Sequence, residues 1–312
     1  MSKRREDRPA PPRRRHTWLG VDIGGTKTAL RAHTDGGAVR DRVFHWTVGG
    51  VDTDLAQLSR EVDLLRGEIS AEFDAVGVGL PATIDSIGVV SAWPNRPEWV
   101  GLDVHRAFGA LFGGAPIRFA DDGDLAAMAE AEACGGARLL YVGVGTGVGG
   151  GMVVGGEYVG STDTGSFEIG HLITDADGPD CRCGRRGCLQ ACASGPAILA
   201  RAGRLRGAPV TFAELRSGLL GDEPWAVRAM DRACHRLAVA ITGVNELLHP
   251  DVVVVGGGVA AGLPRFVATI DAHARALARP GVSSTPPIRG SRFGELSTLY
   301  GAVALARLLI RS

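Results

Sequence analysis

Short apolar runs alternate with stretches of helical periodicity along most of this 312-residue chain. The apolar runs predict strands, and they lie at 18–21, 28–33, 39–48, 76–79, 117–120, 139–144 and 252–255. Apolar residues three and four positions apart predict helices, which cover 55–69, 125–133, 226–248, 266–278 and 299–310. Strands that alternate with helices in this way predict an α/β fold with mixed sheets.

One pattern occurs twice, in segments 19–28 and 141–150, which start about 122 residues apart. Each segment has an apolar strand, then a turn rich in glycine and threonine, then the start of a second strand. A repeat at so long a spacing predicts a duplicated domain rather than a solenoid. Two similar domains that each present a glycine hairpin predict a cleft with phosphate contacts from both walls.

Charge and hydropathy disfavour two classes of protein. The chain has 34 basic and 34 acidic residues, which is unlike a nucleic-acid binder. It also lacks an apolar run near the ~18 residues of a membrane span. We therefore expect neither a nucleic-acid partner nor a membrane. Residues 1–15 carry seven basic and two acidic side chains and no apolar face, which predicts a disordered tail.

The first glycine hairpin reads Asp-Ile-Gly-Gly-Thr-Lys at 22–27. It is neither a P-loop nor a dinucleotide fingerprint, because it leads into a strand and not into a helix. Its glycines can bring backbone N–H groups close to an anion, while Thr26 adds a donor and Lys27 a charge. Asp22 could hold Mg²⁺ through water. Such a hairpin by itself is usually only a turn, and the second hairpin at 145–147 favours the phosphate-binding interpretation.

Cysteines crowd into one segment of the chain. Cys181, Cys183 and Cys188 lie within eight residues, and His171 lies ten residues upstream. In a chain of this length, clustered cysteines favour a metal site over disulfides. Three thiolates and one imidazole fill a tetrahedral Zn²⁺ shell, and a full shell indicates a structural site. The alternative is buried free cysteines, and Cys192 has no assigned role.

Glu168 and His171 stand three residues apart, just before the cysteine cluster. If one ring nitrogen of His171 binds zinc, the other keeps a defined orientation. The two side chains could then hold a ligand hydroxyl together. Pairs with this spacing are also common on solvated faces, so the spacing alone is weak support.

Three carboxylates, Asp121, Asp122 and Asp124, stand between a predicted strand and a predicted helix. Such crowding is unfavourable unless the groups bind a metal or a substrate or cap the helix. Asp124 is a natural N-cap, whereas Asp122 could act as general base on an alcohol. Farther along, the predicted strand at 252–255 ends in three glycines, 256–258, where a flat ligand could approach the backbone.

Together these motifs resemble the ROK family (repressors, open reading frames and kinases) of the actin–hexokinase ATPase superfamily. The resemblance runs from Trp18 over nearly the whole chain. It is carried by the two hairpins, the Gly79-Leu-Pro81 loop, the acidic segment where the family has Asn-Asp-Ala-Asn, the Glu-Ile-Gly-His motif, the cysteine cluster and the glycine turn at 256.

The resemblance implies an actin-like ATPase fold, which is a duplicated ribonuclease H-like fold of two α/β domains with an interdomain cleft. The expected organisation is a basic tail at 1–16, an N-terminal domain at 17–116 joined by a C-terminal helix at 297–312, and a C-terminal domain at 117–296 with the zinc loop. A homodimer or homotetramer in the cytoplasm is also expected.

The implied activity is an ATP-dependent kinase that phosphorylates the primary hydroxyl of a hexose-like sugar or cyclitol. Asp122 falls on the family's catalytic aspartate. The implied substrate contacts are Asp121, Glu168, His171, Gln190, Asn95 and Pro81. The implied ATP and phosphate contacts are Asp22, Gly24, Gly25, Thr26, Lys27, Gly145, Thr146, Gly147, Gly256, Gly257 and Gly258. The implied cofactors are Mg²⁺, held by Asp22 through water, and structural Zn²⁺, held by His171, Cys181, Cys183 and Cys188.

Two positions depart from the family glucokinases, which have Asn where this chain has Asp121 and Glu where it has Gln190. The first change leaves only acceptors, and the second removes a charge and adds a donor. Because a buried polar site rejects mismatched hydroxyls, we expect a hexose-shaped substrate other than glucose. A C7 cyclitol of the valiolone type is preferred, and glucose and an N-acylated hexosamine are the alternatives.

Two non-catalytic functions compete with the kinase. Repressors of the family carry a DNA-binding domain before the first hairpin, and the 21 residues before Asp22 leave too little room for one. A sugar-binding sensor without catalysis would leave the presence of Asp22, Lys27 and Asp122 unexplained. We therefore expect an enzyme.

Overall fold

The computed structural model describes residues 15–93, 96–160, 166–279, 281 and 285–311. The strands are β1 (Thr17–Ile23), β2 (Lys27–Thr34), β3 (Val39–His45), β4 (Ala75–Gly79), β5 (Thr83–Ile84), β6 (Val90–Ala92), β7 (Ile117–Ala120), β8 (Leu139–Val144), β9 (Val148–Val154), β10 (Glu157–Tyr158), β11 (Val252–Gly256) and β12 (Ile288–Gly290). The helices are α1 (Val51–Ile69), α2 (Val104–Leu111), α3 (Asp122–Ala133), α4 (Leu189–Ala193), α5 (Gly195–Arg206), α6 (Phe212–Leu220), α7 (Pro224–Leu248), α8 (Gly257–Gly262), α9 (Phe266–Leu277) and α10 (Ser297–Arg311).

Two mixed sheets of five strands share one topology. The first has the order β3-β2-β1-β4-β7 and the second the order β10-β9-β8-β11-β12. In each, a hairpin pair (β1–β2 or β8–β9) is antiparallel and the strands beyond it (β4 and β7, or β11 and β12) are parallel. The equivalence confirms the predicted duplication, since the two glycine hairpins occupy the same place in their sheets.

Each sheet has its own apolar core. Leu19, Leu30 and Trp99 belong to the core of the first sheet, and Leu140 and Leu237 to that of the second. The buried strands of both sheets read as nearly continuous apolar runs because helices cover them. The sequence prediction of a mixed α/β architecture is therefore confirmed.

The C-terminal helix α10 lies on the first sheet and against α3. Gly77 makes this possible, because a Cβ there would overlap the carbonyl group of Ala302 on α10. Gly123 likewise allows α3 to approach β9 closely, because a Cβ at Gly123 would overlap the backbone of Gly150. The start of α3 is thus held directly on the strand that follows the second hairpin.

The strand at 117–120 pairs in parallel with β4, in the first sheet. The sequence predicts that this segment opens the C-terminal domain, but the strand belongs to the first sheet, so the prediction is wrong for the strand. The reason is that α2 returns the chain alongside β4. The pairing of β4 with β7 has no local signal in the sequence. The domain boundaries themselves stay a prediction.

Most of the predicted tail, residues 1–14, lies outside the described residues. Among the helices of the described ranges, none combines the length and the apolar character that a bilayer crossing requires.

Candidate active site

The two glycine hairpins close in the same way. In the first, between β1 and β2, the N–H of Gly24 donates to the carbonyl of Lys27 at 2.9 Å. In the second, between β8 and β9, the N–H of Gly145 donates to the carbonyl of Gly147 at 2.9 Å. Both turns continue into strands, as the sequence predicts for the first hairpin, and not into the helix that follows a P-loop.

A cavity of about 440 Å³ opens beside the second hairpin. It collects eight of the predicted site residues, which are Asp121, Asp122, Gly145, Thr146, Gly147, Glu168, Gln190 and Gly257. The remaining described candidates do not line it: Asp22, Gly24, Gly25, Thr26, Lys27, Pro81, His171, Cys181, Cys183, Cys188, Gly256 and Gly258. Asn95 lies outside the described residues.

The acidic segment forms the start of α3. Asp121 is the N-cap, and its Oδ1 accepts a hydrogen bond from the N–H of Gly123 at 3.0 Å. Asp122 is the first helical residue and is exposed, whereas Asp124 is only 1% exposed. The capping role proposed for Asp124 is therefore wrong. The helix begins earlier because Asp121 has the extended backbone that an N-cap needs.

Crowding of carboxylates shifts the pKa values around Asp122. Burial, reinforced by the charge of Asp122, raises the pKa of Asp121 to about 8 and that of Asp124 to about 7. The same two causes raise the pKa of Asp22 to about 6, although Lys27 opposes them. The charge of Asp122, at the start of α3, thus acts on Asp22 in β1 as well as on its own neighbours in the chain. A cation bound there would relieve the crowding.

Gln190, near the start of α4, supports the second hairpin. Its Oε1 accepts a hydrogen bond from the N–H of Val148 at 3.1 Å. Gln190 also lines the cavity. The residue predicted to contact substrate thus has a second role, which is to hold the strand that follows the glycine turn.

His171, Cys181, Cys183 and Cys188 form a cluster whose donor atoms all lie within 4.8 Å of one another. The Sγ atoms of Cys183 and Cys188 are 3.7 Å apart, and the Sγ of Cys181 is 3.8 Å from Nδ1 of His171. A tetrahedral ion with bonds of about 2.3 Å to sulfur separates its ligands by about 3.8 Å. The four donors therefore fit one tetrahedral metal ion.

The loop that carries these thiols is held against α7. Arg236 forms an ion pair with Asp175 and donates to the carbonyl of Thr174 at 2.6 Å. Within the loop, the N–H of Cys181 donates to the carbonyl of Arg185 at 2.8 Å. The thiols are free of disulfides, as the metal-site prediction requires.

The imidazole of His171 has two different sides. Its Nδ1 faces Cys181, and its Nε2 lies 3.9 Å from Oε2 of Glu168. That distance is too long for a direct hydrogen bond, so a ligand group can lie between them. The ring thus presents one nitrogen to the thiol of Cys181 and the other to the side of Glu168, and a shared ligand hydroxyl stays a prediction.

The glycine turn after β11 begins α8. Gly257 has a φ of +85°, and a Cβ there would overlap the backbone of Val144 at the end of β8. The turn therefore lies directly beside the second hairpin, and Gly257 lines the cavity. The sequence predicts that adenosine binds against this glycine turn.

Three polar residues that line the cavity are not among those that the sequence predicts for the site: Tyr141, Ser166 and Thr298. Tyr141 is the polar exception in an apolar strand, and burial raises its pKa to about 12. Thr298 lies in the first turn of α10 and lines the cavity because that helix packs against α3. The sequence has no local signal for such an approach.

A sequence model described as the ROK family matches residues 18–308. The chain belongs to the ROK family. Kanosamine kinase of Amycolatopsis mediterranei (strain S699) is 48% identical over 292 residues, which is 93% of this chain and 96% of that protein. N-acetylmannosamine kinase of Escherichia coli O157:H7 is 31% identical over 297 residues, 93% of this chain and 98% of that protein.

A crystal structure of a ROK hexokinase from Thermus thermophilus matches with a TM-score of 0.86 and 30% identity. The match covers 95% of this chain and 99% of that chain. These findings confirm the ROK family, the actin-like ATPase fold and the enzyme class, an ATP-dependent carbohydrate kinase. The roles of individual residues stay predictions.

Proposed function

We propose that this ROK kinase phosphorylates the primary hydroxyl of an amino sugar with a free amine, 3-amino-3-deoxyglucose (kanosamine). The observation that carries the proposal is Asp121, a carboxyl group in the cavity wall at the position where family glucokinases have Asn. The 48% identity to a kanosamine kinase, over nearly all of both chains, supports the same substrate.

A carboxylate at position 121 suits an ammonium better than a hydroxyl. Burial and Asp122 hold the pKa of Asp121 near 8 without a ligand, so its ionised form is unfavourable there. An ammonium group would offset that penalty through a charge-assisted hydrogen bond. An uncharged sugar would not offset the penalty for ionising Asp121. Asp121 therefore favours a cationic substrate.

The reaction requires positioning and charge stabilisation more than covalent chemistry. Asp122 would accept the proton of the primary hydroxyl as that oxygen attacks the γ-phosphorus and ADP leaves. Glu168 and His171 would hold sugar hydroxyls, and the N–H groups of the two hairpins would hold phosphate oxygens. Asp22, whose crowded carboxyl fits a nearby cation, would hold Mg²⁺ through water, and this ion supplies charge neutralisation at the phosphates.

Zn²⁺ is the proposed ion for His171, Cys181, Cys183 and Cys188, because three thiolates and one imidazole suit its preferred ligands and geometry. A full shell of protein ligands supplies rigidity and no open position for chemistry. The role of the ion would be to keep Nε2 of His171 facing Glu168.

A C7 cyclitol of the valiolone type, preferred from the sequence, is now the second candidate. It shares the primary hydroxyl but has no amine for Asp121. Glucose and N-acetylmannosamine follow for the same reason. The predicted dimer or tetramer and the cytoplasmic location stay predictions.

The proposal is tested by kcat/KM values from ADP release with kanosamine, glucose, N-acetylmannosamine and a valiolone-type cyclitol. We expect kanosamine to have the highest value. Asp121→Asn should lower the kanosamine-to-glucose ratio by about tenfold to a hundredfold, the range for a hydrogen bond to a charged group. Asp124→Asn is the matched control, because Asp124 lies on the same helix but outside the cavity lining. A higher value for any other sugar, or an unchanged ratio in Asp121→Asn, would contradict the proposal.

A further inference from the structure

Two side chains donate hydrogen bonds to backbone carbonyls of the first glycine hairpin. The indole Nε1 of Trp46 donates to the carbonyl of Gly24 at 2.9 Å. The Nε of Arg96 donates to the next carbonyl, that of Gly25, at 3.1 Å. The backbone N–H of Trp46 adds a third contact, to the carbonyl of Thr26 at 3.2 Å. Three successive carbonyls of the turn thus point to one side.

Holding these carbonyls orients the N–H groups. In a planar trans peptide, the C=O of one residue and the N–H of the next point in opposite directions. The bonds to Gly24 and Gly25 therefore aim the N–H groups of Gly25 and Thr26 away from Trp46 and Arg96. Within the described part of the chain, neither N–H group has an acceptor. Two aligned free donors in a glycine turn are suited to an anion.

Arg96 is itself held rigidly. Its guanidinium forms an ion pair with Asp54, and the side chains of Arg96 and Asp54 are 9% and 0% exposed. The Nε1 of Trp99 donates to the same carboxylate at 2.8 Å. The guanidinium carbon also lies 4.8 Å from the ring centroid of Trp46. Arg96 and Trp46 therefore form one unit behind the turn.

A buried ion pair alone is weak support for a stabilising role, because desolvation of the charges can exceed their attraction. Arg31 serves as a comparison for Arg96, because it also forms an ion pair but does not contact a hairpin carbonyl. It is 7% exposed, pairs with Asp41 at 2.6 Å and lies 3.9 Å from the ring centroid of Tyr300. Its side chain makes the same kinds of contact as Arg96 except for the bond to a hairpin carbonyl.

We propose that Arg96 and Trp46 are positioning residues, which orient the N–H groups of Gly25 and Thr26 toward the phosphates of ATP. The inference rests on the proposed assignment of this hairpin to ATP. It predicts that the two side chains act on phosphate binding and not on adenosine or sugar binding.

The test compares Arg96→Lys and Trp46→Phe with the control Arg31→Lys. Each lysine can keep its ion pair but loses the planar fork, and phenylalanine keeps a ring but loses the indole donor. Calorimetric titration without sugar gives the Kd of ATP and of adenosine, and steady-state rates give the KM of the sugar. We expect Arg96→Lys and Trp46→Phe to weaken ATP about tenfold and to leave adenosine and sugar within twofold. Arg31→Lys should leave all three within twofold.

Equal losses of ATP and adenosine affinity, or an unchanged ATP affinity, would overturn the inference. If Arg96→Lys does not fold, the Kd of ATP and the Kd of adenosine for Trp46→Phe test the inference instead. A wild-type protein that binds ATP no better than adenosine would also overturn it. Failure of the proposed amino-sugar substrate would appear only in the sugar panel, so the two failures are distinguishable.

Discussion

The Oε1 of Gln190 accepts a hydrogen bond from the backbone N–H of Val148 at 3.1 Å, across 42 residues of sequence. This contact joins the helix that follows the cysteine loop to the strand that follows the second glycine hairpin. The side chain of Gln190 therefore links the segment after the cysteine cluster to the second glycine hairpin.

Replacement of Gln190 should separate its two roles. Gln190→Leu leaves the N–H of Val148, a residue only 5% exposed, without an acceptor, which costs about 1–3 kcal/mol. Gln190→Glu keeps an acceptor at that place. We expect denaturant unfolding to show the loss for Gln190→Leu and not for Gln190→Glu, together with a raised KM for ATP in the leucine variant. Equal stabilities of the two variants would contradict this role.

Asp122→Asn should abolish most turnover and spare sugar binding. An amide cannot accept the hydroxyl proton, and loss of a general base lowers kcat by about a hundredfold to ten-thousandfold. Calorimetric titration should give a Kd for the sugar within about threefold of the wild-type value, because the side chain keeps its size. Near-full activity in Asp122→Asn would mean that another group accepts the proton.

Loss of the proposed zinc ion should destabilise the protein. Cys181→Ser replaces one thiolate of the cluster, so elemental analysis should show less than one zinc per chain. Because metal binding is coupled to folding, the thermal midpoint should fall by about 5–10 °C. Cys134→Ser is the control, since Cys134 is exposed and outside the cluster. Equal zinc content in both variants would contradict the assigned ligands.

Stability without ligands should fall as the pH rises from 6 to 8. Asp121 and Asp124 have pKa values raised to about 8 and about 7 in the folded protein, so the folded state binds more protons than the unfolded state in this window. Stability gained at low pH is therefore lost as the pH rises through these values. We expect Asp121 to contribute a decrease of about 1–2 kcal/mol in the free energy of unfolding.

Denaturant unfolding at pH 6, 7 and 8 measures this dependence. Asp121→Asn should flatten the slope, because an amide does not titrate. Arg31→Lys, far from the acidic segment in sequence, should keep the wild-type slope. An identical slope in wild type and Asp121→Asn would show that Asp121 does not titrate in this range.

The sequence by itself determined the elements and motifs that depend on near neighbours. Apolar periodicity predicted the main strands and helices, and the repeated glycine turns predicted the duplicated sheets. The cluster of His171, Cys181, Cys183 and Cys188 was also predictable, because three of its four side chains lie within eight residues on one loop. Such features follow from local backbone preferences and short chain separations, so they need no knowledge of packing.

Only the tertiary structure decided the contacts that close over long separations. Arg96 meets the carbonyl of Gly25 across 71 residues. The strand at 117–120 joins the first sheet, and Asp121 in place of Asp124 caps α3. Each depends on which helix packs on which sheet, and packing is set by the shape of the whole core. A residue's neighbours in sequence do not carry that information.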